Sequence, residues 1–367
     1  MTTREADIFT TTLIPGPRAG AALARRPILA RALRSDITTP QHGAVFVWGE
    51  PLIGKTTLVR HVLWSLEPDR FLVARIPIGV LAEDVTGRRR FASLLGDQVR
   101  RQVPAERKEV TGILESKSFP EAIEYCLATA IRTDRQLVLA VEGMERFELS
   151  AQPVWPKDVK ANLKHLLNMV PSLGLLLTSR APVGRLEHTP LASEMRTHFV
   201  PPLDDDVADR FLGSHLRNVT IDDDAMMLFN AAAGGRPYLL QIIGRNCERL
   251  GSSGVSEIGL NEAGEILHAC WAASEHLFRP LLASLDDLDQ VLLAAVAYAT
   301  AAIDTPAASL ESVHREARRL GFEGELELLL MRLGMLRVRR LIENTESNAF
   351  YHCSSWFADY LRAGIFA

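Results

Sequence analysis

Apolar residues form two different patterns along the chain, and the change falls near residue 202. Between residues 44 and 200, short apolar runs alternate with amphipathic segments. Such runs are typical of strands buried on both faces of a parallel sheet, and the segments between them have the 3.6-residue period of helices. The pattern predicts an α/β domain with a parallel sheet and helices on both faces. Strands are predicted at 44–48, 71–76, 136–141, 173–177 and 197–200.

From Leu203 onward the pattern is helical. Asp204–Asp206 and Asp222–Asp224 each precede an amphipathic segment. Acidic residues in a first helical turn favour the helix dipole, and we prefer this interpretation to a metal cluster. The sequence Gly234–Pro237 predicts a helix break followed by a new helix with proline in its first turn. We therefore expect an all-helical domain over residues 203–280.

The last segment, residues 281–367, combines helices with an extended pair. Three helices followed by a β-hairpin are the pattern of a winged helix. The predicted helices are 284–299, 308–320, 324–333 and 356–363, and the predicted strands are Met335–Leu341 and Ala349–Cys353. The expected domains are an irregular segment 1–22, an α/β domain 23–202, a helical domain 203–280 and a winged-helix-like domain 281–367.

One loop carries a specific chemical signal. The stretch Gly49–Thr56 fits the phosphate-binding pattern G-x-x-x-x-G-K-[ST] and joins the apolar run 44–48 to the amphipathic run 58–66. Gly49 and Gly54 permit backbone angles that a side chain would block. The loop N–H groups and the N-terminus of the next helix then face the phosphates. We interpret it as a P-loop rather than a Gly-rich turn without function, so the α/β domain 23–202 is expected to be a P-loop ATPase domain.

Other site residues are predicted from their positions. Lys55 reaches the β- and γ-phosphates, the Thr56 hydroxyl is placed to bind Mg²⁺, and Thr57 is a weaker candidate for a phosphate contact. Glu142 ends a buried strand, where an acidic residue can hold Mg²⁺ through water. Arg180 follows the next strand and can sense or neutralise the γ-phosphate.

Composition excludes several classes of protein. Hydrophobic content of 47% and charged content of 23% are ordinary for a soluble globular protein, and a net charge of −4 argues against a dedicated nucleic-acid coater. The cysteines form no C-x-x-C pair, so we expect reduced core cysteines. We see no signal peptide, and the longest uncharged apolar run, 291–303, is too short for a membrane span. A cytoplasmic protein without membrane association is expected.

These features together resemble the STAND-type signal-transduction ATPases, which are close to AAA+ proteins. The resemblance covers nearly the whole chain and includes the P-loop, the strand ending at Glu142, the Leu175–Arg180 strand end, the Phe199–Leu203 bridge, the Gly235-Arg236-Pro237 element and the winged helix. It implies that ADP is held in a resting state and that exchange to ATP releases an assembling state. It also implies that Pro237 lies near the base or ribose, and that Arg180 contacts the γ-phosphate within the subunit or from a neighbour.

The chain departs from that family after the strand that ends at Glu142. The family usually has an aspartate followed by a second acidic residue, whereas Gly143 follows here and cannot polarise a water. Glu145 is the nearest substitute. Because a general base is often worth 10²- to 10⁴-fold in rate, we expect slow or absent hydrolysis. The predicted catalytic residues are Lys55, Glu142, Glu145 and Arg180; those for ATP or ADP are Gly49, Pro51, Ile53, Gly54, Lys55, Thr56, Thr57 and Pro237; those for Mg²⁺ are Thr56 and Glu142.

Three functions are compatible with the sequence. The first is a nucleotide-dependent switch or scaffold that forms a homo-oligomer or recruits a protein effector or sensor. The second is a DNA-acting AAA+ ATPase, similar to replication initiators or transposition regulators, whose winged helix binds DNA. Residues 281–367 hold 8 Arg, no Lys and 12 Asp plus Glu, which gives 8 − 12 = −4 and disfavours phosphate contact. Arg315, Arg318 and Arg319, with Arg337, Arg339 and Arg340 on the predicted hairpin, would still make a local basic face. A metabolic kinase is the third.

Overall fold

The computed structural model divides the chain into two compact units. The first contains residues up to Gly49 and Lys55–Val200, and the second contains Glu50–Gly54 and Pro201–Ala367. The chain therefore passes from one unit to the other and back within the predicted P-loop. The structure describes residues 26–39, 44–77, 94–95, 98–99, 101–103, 119–143, 157–169, 173–179, 195–213, 216, 219–271, 274–283, 285–301, 307–339, 341–345 and 349–364.

The first unit is built around a parallel sheet of five strands in the order β2-β3-β4-β1-β5. This confirms the predicted parallel sheet with flanking helices. Its described elements are α1 (Pro27–Thr38), β1 (Ala44–Trp48), α2 (Lys55–Trp64), β2 (Phe71–Pro77), α3 (Phe119–Arg132), β3 (Gln136–Glu142), α4 (Lys157–Asn168), β4 (Leu173–Ser179) and β5 (Met195–Phe199).

The central strands are apolar throughout because both of their faces are buried. Alternate residues point to opposite faces. Phe46, Leu139 and Leu175 pack in one core with α3 and α4. The opposite face is covered by α1, which comes so close to β4 that a Cβ on Gly174 would lie 2.5 Å from the Ile37 carbonyl oxygen.

A charged cluster ties α1 to the sheet edge at β5. Asp36 is buried, and its carboxylate is 2.8 Å from Arg196 and 2.8 Å from His198 on β5. Leu33 and Ile37 of α1 are also buried. Helix α1, which precedes the first strand, is therefore a packed part of the first unit.

Two glutamines cover the edge strand β2. The side-chain amide of Gln102 accepts from the Val73 N–H at 2.9 Å and donates to the Val73 carbonyl at 2.6 Å. Gln98 does the same for Arg75, at 2.7 Å in both directions. Residues 98 and 102 are one helical turn apart, which matches the two-residue spacing of outward-facing peptide groups on the strand. The amides thus take the place of a sixth strand on this edge.

We expect replacement of either glutamine by alanine to destabilise the first unit by about 1–2 kcal/mol, because a backbone donor and acceptor on the edge both lose their partner. Aggregation should also increase, since an uncovered edge can pair with another chain. Urea unfolding and light scattering measure the two effects. The matched control is Arg101→Ala, an exposed position on the same helical turn. Equal behaviour of Gln102→Ala and this control would contradict the role of the amides.

The second unit is mainly helical from residue 201 onward. Its elements are α5 (Asp205–Gly213), β6 (Thr220–Ile221), α6 (Asp223–Ala233), α7 (Pro237–Ser252), β7 (Glu257–Ile258), α8 (Leu260–Trp271), α9 (Ser274–Leu282), α10 (Asp287–Ala301), β8 (Ala308–Ser309), α11 (Leu310–Arg319), α12 (Leu326–Val338), β9 (Ile342–Asn344), β10 (Ala349–His352) and α13 (Ser355–Gly364). The parallel pair of β6 and β7 was not predicted from the sequence.

The ends of α6 agree with the sequence pattern. Asp222 caps its N-terminus by accepting from the Ala225 N–H at 2.6 Å, so this acidic run serves the helix. The C-terminus stops at Gly234 and Gly235, whose φ angles of 55° and 65° favour glycine. A Cβ on Gly235 would also lie 2.3 Å from the Leu203 carbonyl oxygen. This turn leads directly into α7, which begins at Pro237 as expected.

The predicted strand Met335–Leu341 is wrong. Helix α12 continues to Val338, and the strand begins only at Ile342. Leu329, Leu333 and Leu336 are buried with helical spacing, and this packing outweighs the cost of Gly334 inside the helix. β10 then pairs antiparallel with both β9 and β8, so the sheet has three strands in the order β8-β10-β9. The winged-helix interpretation of these elements stays a prediction.

The expected state of the cysteines agrees with the described structure. All four are free, and Cys126, Cys247 and Cys270 are buried. Burial raises the pKa of the Cys126 thiol to about 12, so it stays protonated. Within the described ranges, no group of three or more His, Cys, Asp or Glu is placed to hold a metal ion. No described helix is long and apolar enough to cross a bilayer.

Candidate functional site

The loop between β1 and α2 has the backbone of a strand-to-helix turn. Gly54 has φ 89° immediately before α2 begins at Lys55, a conformation that strongly favours glycine. Leu52 also has a positive φ, 68°, which is uncommon for a residue with a side chain. The N-terminal N–H groups of α2, which have no partners within a helix, start at this turn. The loop can therefore receive an anionic group at a helix N-terminus.

Lys55 lies over the loop that precedes it. Its Nζ donates to the Gly49 carbonyl oxygen at 2.5 Å. The side chain is half-buried, while the next residue, Thr56, is exposed. An ammonium group in this position carries a positive charge across the mouth of the loop, as phosphate binding requires. The residues of the loop therefore fit the phosphates of a nucleotide.

Three strands of the first unit end near this point. β4 separates β3 from β1, and its Thr178 and Ser179 lie in register with Val47 and Trp48 of β1. The Thr178 hydroxyl accepts from the Gly143 N–H, just after β3, at 3.3 Å. On the β4 side, hydroxyl residues are thus the neighbours of the strand that enters the loop, and Glu142 of β3 lies one strand further away.

Glu142 forms an ion pair with an arginine of the adjacent strand. Arg75 on β2 donates to the same carboxylate oxygen, Oε1, from Nε at 2.9 Å and from Nη2 at 2.5 Å. About a quarter of each side chain is exposed. A third charged group, Arg60, comes from α2, one helical turn after Thr56. Burial and the charge of Arg75 lower the pKa of Arg60, and Glu142 partly opposes this shift.

The role of Glu142 as a magnesium ligand stays a prediction. A carboxylate can hold Mg²⁺ through a metal-bound water. One oxygen of Glu142 already accepts two N–H groups of Arg75. Thr56 is an exposed residue in the first turn of α2, and its role in metal binding also stays a prediction.

Loop residues 50–54 fold with the second unit and make a buried ion pair there. The Glu50 Oε1 lies 2.8 Å from Arg339 Nε, and the two side chains are only 2% and 5% exposed. Arg236 is also buried, and its pKa is lowered mainly by this burial. The negative charge of Glu50 acts in the opposite direction on Arg236. The Glu50 carboxylate of the P-loop is therefore held by Arg339 of the second unit.

The start of α7 also meets the loop within the second unit. The Tyr238 N–H donates to the Leu52 carbonyl oxygen at 3.4 Å. This long hydrogen bond brings Pro237, predicted to lie near the base or ribose, next to the apex of the loop. Its contact with nucleotide stays a prediction.

Two predicted catalytic residues, Arg180 and Glu145, lie outside the described residues. Gly49, Pro51, Ile53, Gly54, Lys55, Thr56 and Thr57 all lie in the loop and the first turn of α2, with Pro51 and Ile53 buried. Arg75 and Arg60 were not predicted as site residues from the sequence. Arg75 could have been noticed, because it is the one charged residue within the apolar strand Phe71–Pro77.

Comparison with known proteins agrees with this geometry. Residues 25–178 match the model of the AAA ATPase domain, a span that contains the P-loop and β1 to β4. The chain is similar in structure to the Walker-type ATPase PABY2304 of Pyrococcus abyssi, with a TM-score of 0.63, 16% sequence identity, and coverage of 92% of this chain and 95% of that chain. It is also similar to the ORC2 protein of Aeropyrum pernix, solved as ADPNP and ADP complexes. There the TM-score is 0.59 and the identity 14%, over 96% of this chain and 95% of that chain.

No curated protein matches the sequence. At these low identities the structural likeness establishes the fold. The fold of the first unit is that of a P-loop ATPase.

Proposed function

We propose that the protein is an ATP- and ADP-binding regulatory ATPase of the STAND or AAA+ type. In this proposal it acts as a nucleotide-dependent switch or oligomerising scaffold with slow or absent ATP hydrolysis. The observation that carries the proposal is the loop of Gly49–Thr56, where Gly54, the N-terminus of α2 and the Lys55 ammonium converge. This is the chemistry of a phosphate site.

Slow hydrolysis follows from the groups around β3. Glu142 is held by Arg75, and Gly143 offers no side chain to activate water. Loss of a general base commonly lowers the rate 10²- to 10⁴-fold. Nucleotide binding rather than turnover would then be the signal.

A switch requires that nucleotide and protein partner are linked, and the second unit supplies elements for this. Residues 50–54 of the loop fold together with the helices after residue 201. The Glu50–Arg339 ion pair and the Tyr238–Leu52 hydrogen bond connect those helices to the loop. A nucleotide that reshapes the loop would therefore change the second unit, and with it an oligomer or effector contact.

The alternative function is a DNA-acting AAA+ ATPase. It is favoured by the three helices α10 to α12 with a three-stranded sheet, as in a winged helix, and by the exposed Arg315, Arg318 and Arg319 on α11. Arg339, predicted to belong to the same basic face, is buried against Glu50 instead. Arg337 ends α12 rather than lying on the hairpin, and donates to Asn344.

Charge in the second unit also weighs against DNA. A groove of about 1110 Å³ in this unit is lined by several carboxylates, which repel phosphates. They belong to Asp204, Asp205, Asp209, Asp223 and Glu343. We therefore prefer the hypothesis that the partner is another copy of this chain or a different protein.

The test is the mass of the purified protein in solution with ADP and with a non-hydrolysable ATP analogue, each with and without duplex DNA. We expect the ATP analogue alone to drive assembly. Assembly that requires DNA, and is lost in Arg315→Gln/Arg318→Gln, would support the alternative. A monomer in every condition would contradict nucleotide-driven assembly and would mean that a missing partner, rather than nucleotide, is the trigger.

A further inference from the structure

The ion pair between Arg75 and Glu142 has a consequence for the metal requirement of the site. Both hydrogen bonds from Arg75 reach Oε1, so the guanidinium neutralises the carboxylate that the sequence assigns to Mg²⁺. The side chains are about three quarters buried, which limits competition from water.

Arg75 is fixed in this position by its backbone. Gln98 accepts from the Arg75 N–H and donates to its carbonyl oxygen, both at 2.7 Å. β2 also pairs with β3 along its full length, with Arg75 opposite Ala140 and Pro77 opposite Glu142. The guanidinium therefore reaches Glu142 from a rigid strand.

Arg60 adds a second positive charge to the described surroundings of Glu142. Among the described residues, its buried Nε has no hydrogen-bond partner. The electrostatic influence of both Arg75 and Glu142 extends to Arg60. Among the described residues here, two guanidinium groups and one carboxylate leave a net charge of about +1, which opposes the approach of a divalent cation.

We propose that Arg75 takes the place of Mg²⁺ at Glu142, so that this P-loop binds nucleotide without needing the metal. The proposal rests on the nucleotide binding proposed above. Lys55 and the α2 N-terminus supply the positive charge for the phosphates. Arg75 is a positioning residue, since it acts on the site through Glu142.

The experiment is a titration of the whole chain with a fluorescent ADP derivative, in excess Mg²⁺ and in EDTA. For the wild type we expect the two dissociation constants to agree within about threefold. In Arg75→Gln, Glu142 is released to a metal, and Mg²⁺ should tighten binding by about tenfold or more. Arg75→Lys keeps the charge and should behave as the wild type.

The matched control is Arg70→Gln. Arg70 is exposed, lies next to the opposite end of β2 and stacks on Phe71. Its removal should leave the metal response unchanged. A wild type that binds ten times more tightly with Mg²⁺, or an Arg75→Gln variant with no gain from Mg²⁺, would overturn the proposal. Absence of binding in both solutions and in every variant would instead overturn the nucleotide site itself, and the role of Arg75 with it.

Discussion

Replacing Lys55 by alanine is expected to lower the affinity for ADP and ATP about 100-fold or more while the fold stays intact. The Nζ lies 2.5 Å from the Gly49 carbonyl oxygen, so the side chain is already positioned at the mouth of the loop. Phosphates carry their charge into this loop, and the Lys55 ammonium and the α2 N-terminus are the positive groups seen there. Loss of the ammonium removes a full positive charge and leaves only the partial charge of the helix N-terminus.

Thermal unfolding with and without nucleotide measures this effect. A ligand at 100 times its dissociation constant stabilises a protein by about 2.7 kcal/mol, which gives a clear shift of the midpoint. The shift should be present in the wild type and absent in Lys55→Ala. Circular dichroism of the variant without nucleotide verifies the fold.

Lys164→Ala is the matched control, since Lys164 is exposed on α4 of the same unit. It should bind nucleotide as the wild type does. Lys55→Arg keeps a positive charge and should retain part of the affinity. Unchanged affinity in a folded Lys55→Ala protein would refute the assignment of the phosphate site.

The parallel sheet could be predicted because its strands have a strong local signal. Runs such as Ala44–Trp48 and Leu173–Leu177 are apolar at every position, which identifies a strand buried on both faces. The order of the strands could not be predicted in the same way. It is set by the packing of helices that are distant in the sequence, such as α1 against Gly174 of β4.

The end of α12 shows the limit of local signals. The sequence pattern at Gly334 and after it predicts a helix end followed by a strand. In the structure, the helix extends to Val338. The position of the helix end is decided by the burial of Leu336 in the second unit, which is a tertiary effect. The consequence for function is considerable, because the longer helix places Arg339 at a helix end and in contact with Glu50 rather than on a DNA-facing hairpin.

The phosphate loop could be identified from the sequence because its motif is local. The partners of the acidic residues Glu50 and Glu142 could not be identified in this way. Arg75 lies 67 positions before Glu142, and Arg339 lies 289 positions after Glu50. Ion pairs of this kind leave no spacing pattern in a single sequence. The one hint is a charged residue inside an apolar strand, where it requires a partner.

The second large effect, a loss of folding stability, is expected when the Glu50–Arg339 ion pair is broken. Arg339→Met removes the guanidinium that lies 2.8 Å from the Glu50 carboxylate, a side chain that is only 2% exposed. Removing one partner of a buried pair commonly costs about 3–5 kcal/mol. We expect the lower end of this range, because the charge of Arg236 still acts on Glu50. The loop residues 50–54 should then lose protection from hydrogen exchange together with α12.

The measurement is urea unfolding combined with hydrogen-exchange mass spectrometry, which resolves peptides of the second unit. Arg337→Met is the matched control, since Arg337 is exposed on the last turn of the same helix and donates to Asn344. Surface changes of this kind usually alter stability by about 0.5 kcal/mol or less. The double variant Glu50→Gln/Arg339→Met removes both charges and should recover part of the lost stability, because the buried negative charge of Glu50 is removed together with the positive charge of Arg339. If Arg339→Met is as stable as Arg337→Met and exchanges no faster at residues 50–54, the pair does not hold the loop, and the link that the switch requires must lie elsewhere.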